Sequence, residues 1–200
     1  MVMSIVTAAD FLRNVNNYCP GEDSVIAVAG GSGSGKSYIA REIVKIIGGR
    51  VISLDDYIIP EKIVSGGNWD LPDVYDLGMA RRTLGALSRG ENFDKPIYDF
   101  EQGIIGGYET VSPGKPIVFE GLHTIGDYFE KFIDFGIFVG AGEKIRLNRR
   151  LSRDVAERGQ GVEEIKARWN GTVEPTFREH IASQAYDADL VVINNDPLAQ

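Results

Sequence analysis

The sequence predicts an α/β chain: a doubly wound parallel sheet of about five strands, with helices on both faces and a small lid. Three observations point there. Short apolar runs alternate with stretches of helical periodicity along the whole chain. The runs are apolar at successive positions rather than alternate ones, as strands covered on both faces require. The first run also passes through a glycine cluster straight into a helical pattern, the local form of a ligand site at the carboxyl edge of such a sheet.

Ala8 to Tyr18 reads as a leading helix with Phe11, Leu12 and Val15 on one side, within an N-terminal lead of residues 1–22. Ser24 to Ala29 is the first strand. Ser37 to Ile47 is a helix whose apolar face is Ile39, Ala40, Ile43, Val44 and Ile47, stopped by Gly48-Gly49. Val51 to Ser53 is a second strand, followed by Leu54-Asp55-Asp56-Tyr57, and Leu77 to Ser88 reads as a helix. Pro116 to Glu120, Phe135 to Val139 and Leu190 to Ile193 complete the strands. A basic helix of roughly Glu143 to Glu157 lies between the last two.

Composition narrows the classes of function. A length of 200 residues suits one domain with a sizeable core, and the whole chain is read as such. The net charge of −8 would repel a duplex or an anionic membrane, so neither nucleic acid nor membrane is expected as a partner. The lone Cys19 excludes an intrachain disulfide and a cysteine-based zinc site. The start has no signal-peptide pattern and no apolar run reaches a membrane span, so the chain is read as cytoplasmic.

Gly30-Gly31-Ser32-Gly33-Ser34-Gly35-Lys36-Ser37 fits the phosphate loop G-x-x-x-x-G-K-[ST]. Glycines let backbone N–H groups turn inward around phosphate oxygens, and the following helix presents its positive end to the same anion. Lys36 would reach the β- and γ-phosphates of ATP, and the Ser37 hydroxyl would ligate Mg²⁺. Chance alone places the pattern in roughly 1–2% of chains this long, and rarely between an apolar strand and an amphipathic helix. A dinucleotide fingerprint fails because its third glycine falls on Lys36. The guanine signature N-K-x-D is absent, and no D-x-x-G follows the loop, which speaks against a GTPase switch.

Four blocks then narrow the class. They are the phosphate loop, Ile52-Ser-Leu-Asp55-Asp56-Tyr57, Asn68-Trp-Asp70-Leu-Pro-Asp73 with Pro96-Ile-Tyr98-Asp-Phe100, and Val118-Phe-Glu120-Gly121 leading to Arg146-Leu-Asn-Arg149-Arg150-Leu-Ser-Arg153-Asp154 and Glu157-Arg158-Gly159. In this order and spacing the chain resembles the uridine kinase and phosphoribulokinase family of P-loop kinases. The resemblance implies one kinase domain over 1–200 with a lid around 153–168, taking ATP, Mg²⁺ and a small hydroxylated acceptor. Uridine or cytidine is the first expectation for that acceptor; another sugar, sugar phosphate or nucleoside is the alternative. A homo-oligomer is left open, as is a regulator that holds ATP and transfers nothing.

The resemblance puts the catalytic base on Asp55, where a carboxylate past a strand end can take the proton of an attacking hydroxyl. Asp56 is the alternative. Glu120 closes an apolar strand, where a charge is costly unless paired. It is expected in the Mg²⁺ water shell with Ser37, or else beside Lys36 or capping the next helix. Asp70 and Tyr98 match the positions that hold sugar hydroxyls and stack on a nucleoside base; read alone, Asp70 could cap a turn and Tyr98 could be core. Arg150, Arg153 and Arg158 match lid arginines that clamp the triphosphate and stabilise the transferring group, with Arg150 also reaching the acceptor. A solvated helix face is the plainer reading of that stripe, but Arg158-Gly159-Gln160-Gly161 also looks like a lid hinge. His123 is similar to a residue of the phosphoribulokinase branch that would touch substrate, although a lone loop histidine is commonly structural.

Three positions depart from the family pattern. Gly103 stands where a pyrimidine-reading histidine belongs, Gln160 where a further lid arginine does, and Arg168 where a glutamine contacting the nucleoside does. All three fall on the acceptor side.

Overall fold

A computed structural model describes residues 4–21, 24–63, 67–114 and 116–196. Its main sheet has six parallel strands: β1 (Ser4–Thr7), β2 (Val25–Ala29), β3 (Arg50–Ser53), β6 (Ile117–Gly121), β7 (Phe135–Gly140) and β8 (Leu190–Ile193). They run in the order β1-β8-β7-β2-β6-β3. A separate antiparallel hairpin pairs β4 (Phe93–Asp99) with β5 (Ile104–Val111).

The sixth strand corrects the expectation of a purely helical N-terminal lead. Ser4–Thr7 pairs with β8 from Ser4 opposite Leu190 to Thr7 opposite Ile193. Its β-branched Ile5, Val6 and Thr7 suit a strand, but four residues are too few to show a period. The partner that makes them one lies at the other end of the chain. The helix read over Ala8 to Tyr18 is also divided, into α1 (Ala8–Arg13) and α2 (Val15–Tyr18), because Asn14 leaves helical geometry.

Three long helices form close to their predicted bounds. α3 (Lys36–Ile47) buries Ile39, Ala40 and Ile43 against the sheet and stops at Gly48. α4 (Leu77–Ser88) is capped by Asp76, whose carboxylate accepts from the Met79 N–H at 2.7 Å. α5 (Glu143–Arg158) ends at Gly159, whose φ of +61° closes the helix as few other residues could.

The sheet divides the core into two principal layers. One gathers Phe11, Ile26, Val28, Ile39, Ile43, Ile137 and Val192. The other gathers Leu54, Tyr57, Leu84, Leu87, Phe119 and Phe129. Phe119 and Phe129 meet edge to face at 4.8 Å between ring centres. Beyond α5, α6 (Val162–Arg168) runs into π-type turns at Trp169–Val173 and Phe177–Ile181 around Pro175. A proline inside a helix removes an N–H donor and crowds the preceding turn, and the wider π register relieves both. No helix among the described residues is long and apolar enough to cross a membrane.

Candidate active site

The site is built where the carboxyl ends of β2, β3 and β6 stand level. Val28 of β2 and Ser53 of β3 both lie in register with Glu120 of β6. The chain turns at these ends into the phosphate loop, the Asp55 turn and the Gly121–Thr124 segment. A parallel sheet thus delivers three remote segments to one edge.

The phosphate loop is wrapped against α5. Gly33 has a φ of +76°, and a Cβ there would overlap the carbonyl oxygen of Arg146. That position therefore demands glycine twice, for its dihedral and for its closeness. Arg149 donates to the carbonyl oxygens of Gly33 and Ser34 at 3.4 and 3.2 Å, and Asn194 donates to Ser34 at 2.8 Å. Arg150 donates to the Ser32 hydroxyl at 2.9 Å. With its carbonyls held from behind, the loop leaves its N–H groups to face an anion at the start of α3.

Glu120 lies beside this loop, 5% exposed. It accepts from the Ser37 hydroxyl at 3.0 Å and from the Ser53 hydroxyl at 2.8 Å. Burial raises its carboxyl above the usual range, the nearby Lys36 charge works the other way, and Asp55 adds to the rise. A carboxylate whose two oxygens each accept from one hydroxyl, Oε2 from Ser37 and Oε1 from Ser53, is a hard donor set that fits Mg²⁺, either directly or through water. The glycine-lined cradle fits the triphosphate of ATP. Ser53 was not singled out as a site residue in the sequence; its place at the end of β3, level with the strand bearing Glu120, is the signal that identifies it.

The two acidic neighbours at the end of β3 separate clearly. Asp56 is turned to the hairpin and pairs with the buried Lys95 at 2.6 Å, which also meets Glu109 at 2.6 Å. Asp55 instead lies within electrostatic reach of Tyr75, Asp70 and Glu120. Burial, then the charges of Asp55, Asp70 and Glu120, push the Tyr75 phenol well above its ordinary range, so it remains a proton donor beside the Asp55 carboxylate. The Tyr75 ring meets the His123 ring edge-on at 6.0 Å.

Asp70 and His123 form the next part of the wall. The His123 Nε2 lies 2.7 Å from the Asp70 carbonyl oxygen, and burial lowers its pKa, so the imidazole is a neutral donor there. Burial raises the Asp70 carboxyl, against the opposing charges of Arg150 and Lys36. Its Oδ2 is buried without a protein partner among the described residues. Tyr98 is buried in the hairpin, edge-on to Phe100 at 5.0 Å, and its hydroxyl is likewise unpartnered.

The basic stripe is not a solvated face. Arg146 and Arg150 are buried, and Asp154, fully buried, is the hub that orders their neighbours. Arg150 reaches Asp154 at 3.1 Å, Arg153 at 2.8 Å and Arg158 at 3.7 Å. Arg158 also stands over the Phe100 ring at 4.7 Å, so it joins the end of α5 to the hairpin. Arg146 serves the scaffold: it pairs with Glu174 at 2.7 Å and stacks on Phe177 at 3.9 Å. Sequence reading passed over Asp154 because a carboxylate amid four arginines reads as charge balance until its burial is known.

Of the three departures, Gly103 has a local cause. The Asp99 side chain accepts from the N–H groups of Glu101 and Gln102, and Gly103 N–H closes the turn onto the Asp99 carbonyl at 2.8 Å. The turn places Gly103 at a φ of +68°, where glycine is favoured. Arg168 lies over the Trp69 ring at 5.1 Å, bringing another cation to the Asn68–Asp70 segment. The Gln160 Oε1 is buried without a partner among the described residues.

Comparison with known proteins agrees with this geometry. The model of the phosphoribulokinase / uridine kinase family matches residues 25–196. A uridine kinase of Deinococcus deserti is 33% identical over 178 residues, covering 84% of this chain and 86% of that protein. A phosphoribulokinase of Synechocystis is 34% identical over 175 residues; the match spans 84% of this chain and only 52% of that longer protein. Among solved structures, one described as a possible uridine kinase of Bacillus stearothermophilus superposes with a TM-score of 0.62 at 15% identity, covering 92% of this chain and 96% of that one. With a matched family model over most of its length and the same sheet around its phosphate loop, the chain belongs to the phosphoribulokinase / uridine kinase family of P-loop kinases.

Proposed function

We propose that the chain transfers the γ-phosphoryl group of ATP to a hydroxyl of a small nucleoside-like acceptor, with uridine or cytidine as the first candidates. The observation that carries this reading is the wall of Asp55, Tyr75 and Asp70 gathered at the strand ends beside the phosphate loop. Asp55 takes the proton of the acceptor hydroxyl as its oxygen bonds to the γ-phosphorus. The bond to the β–γ bridging oxygen breaks, and ADP leaves. Lys36 and the loop N–H groups hold the phosphates, and Asp70 accepts from acceptor hydroxyls. Ser37 and Glu120 would hold Mg²⁺, which when bound supplies positive charge against the phosphate oxygens. Arg150 and Arg153, steadied by Asp154, offset charge on the transferring group. The segment around 153–168 acts as a lid whose closure excludes water and limits hydrolysis.

A sugar phosphate is the second reading, favoured by Arg168 beside Trp69 and by the absence of a side chain at Gly103. ADP release with Mg·ATP is the test, against uridine, cytidine, other nucleosides, ribulose 5-phosphate and related polyols. Stimulation by uridine or cytidine upholds the first reading, and stimulation by a phosphorylated sugar alone upholds the second. ATP binding with no stimulation by any acceptor would overturn both in favour of a regulator.

A further inference from the structure

The outer face of α4 carries a feature that the active site does not use. Its inner residues Ala80, Leu84 and Leu87 enter the core, while Gly78, Arg81, Arg82, Gly85 and Arg89 lie along the opposite side. Gly78 and Gly85 stand two helical turns apart, so no side chain rises from the floor at either position, and Gly85 is buried beside Phe132 and Arg89. Phe93 and Phe132 wall the groove, whose volume is about 600 Å³, the size of a small-molecule site. A Cβ on Gly85 would sit 3.4 Å from both the Arg89 guanidinium and the Phe132 ring edge, so a longer side chain there would fill the space.

Charge selects the occupant. Three guanidinium groups line the groove against one carboxylate, Glu91, and that one is bound to Arg89 at 2.7 Å. Arg81 and Arg82 have no ion-pair partner among the described residues, and the Arg81 guanidinium stands over the Phe132 ring at 5.9 Å. In a chain of net charge −8 this cluster opposes the background. Free guanidinium groups bind phosphate in a fork, and an aromatic wall beside a helix turn without side chains accepts a flat ring. A nucleotide unites both parts. A long nucleic acid does not fit, because the rest of the acidic surface would repel it.

We propose that this groove is a second nucleotide-binding site, separate from the phosphate loop and sharing no residue with it. The same helix carries Thr83, whose hydroxyl meets the Tyr57 hydroxyl at 2.9 Å within the turn that bears Asp55.

The test is calorimetric titration of the full chain with ADP, with hydrogen-exchange footprinting of residues 78–93. Two ADP molecules per chain are expected. Arg81→Glu/Arg82→Glu should weaken one of them by roughly tenfold or more, the loss of charge-assisted bonds to phosphate, and remove the protection at 78–93. Gly85→Leu should do the same by filling the groove with the arginines in place. Lys36→Ala should remove the other ADP and leave the 78–93 footprint intact. A single ADP per chain, or a second one indifferent to both groove variants, would overturn the proposal. Inorganic pyrophosphate protecting 78–93 as well as ADP does would overturn the nucleotide assignment in favour of a bare phosphate site. None of these readouts depends on phosphoryl transfer, so they stand or fall apart from the proposed activity.

Discussion

The proposed triphosphate side and the proposed acceptor side of the site are built differently. Around the phosphate loop the chain supplies its own partners: Ser37 and Ser53 meet Glu120, Arg150 meets Ser32, and Arg149 and Asn194 hold loop carbonyls. Among the described residues the Ser34 hydroxyl, the Arg146 Nη1 and the Arg150 Nε are exceptions. On the acceptor side, the Asp70 carboxylate and the Tyr98 hydroxyl are buried with oxygens that no described residue satisfies. Buried polar atoms are costly when unmatched. One side is therefore organised in advance, and the other holds unspent hydrogen-bonding capacity that a hydroxylated ligand would satisfy. The difference also follows the scaffold. The triphosphate side rests on strand ends and helix starts, whereas the acceptor side rests on a hairpin turn and the 67–75 segment, where sequence can change at little cost to the fold.

The largest effect that would break this contrast is at Asp55. Asp55→Asn should lower kcat by about 10²- to 10⁴-fold, the range of a lost general base, with ATP binding retained. Unchanged transfer would remove Asp55 from the mechanism. Next comes Asp154→Asn, which leaves three arginines without their shared anion. Breaking such a buried set should cost about 3–5 kcal/mol of stability. In the fraction that folds, kcat should fall more than the KM for ATP, because Asp154 positions the arginines without itself touching substrate. A loss confined to stability would make it purely structural.

Ser53→Ala tests the pre-organised side more gently. It frees one Glu120 oxygen and should weaken Mg²⁺ affinity by about 10- to 100-fold, as loss of an outer partner to a ligand does. Comparison of Mg²⁺ titrations for variant and wild type measures it.

The acceptor side makes a prediction about pH. Burial holds the Asp70 carboxyl above its ordinary value of 3.8, so the folded chain resists losing that proton more than the unfolded chain does. Its contribution to stability is present below pH 3.8 and is lost as the pH rises through the folded value. Asp70→Asn should therefore melt higher than wild type at neutral pH, with the difference closing toward pH 3. A melting temperature unchanged at both extremes would mean that Asp70 carries no burial penalty. The smallest effect is expected of Gly103→His. The left-handed turn should cost about 1 kcal/mol, while kcat/KM for uridine rises by roughly tenfold if the ring reaches the pyrimidine. No gain would show that the turn aims this position away from the acceptor.

The legibility of the site in the sequence follows the same division. The phosphate loop could be read because a strand, a glycine turn and a helix start are contiguous, and each leaves its mark within about 25 residues. The bounds of α3 and α4 were legible for the same reason, since the glycines after Ile47 and the Asp76 cap act within one turn. Asp55 and Asp56 could not be separated by local pattern. Their roles diverge because Lys95, 39 residues on from Asp56, takes one of them away. Tyr75 and Asp154 carried no local mark either, since what distinguishes them is burial beside residues brought from other segments.

By itself the sequence determined the sheet class, the phosphate loop with Lys36 and Ser37, and the family pattern, because short-range periodicity and glycine spacing encode them directly. Only the tertiary structure decided the sixth strand, the link from Ser53 to Glu120, the arginine hub at Asp154 and the turn that claims Gly103. The physical reason is range. Strand pairing, ion pairing and desolvation depend on which distant residues arrive beside a group, and one-dimensional spacing does not carry that information.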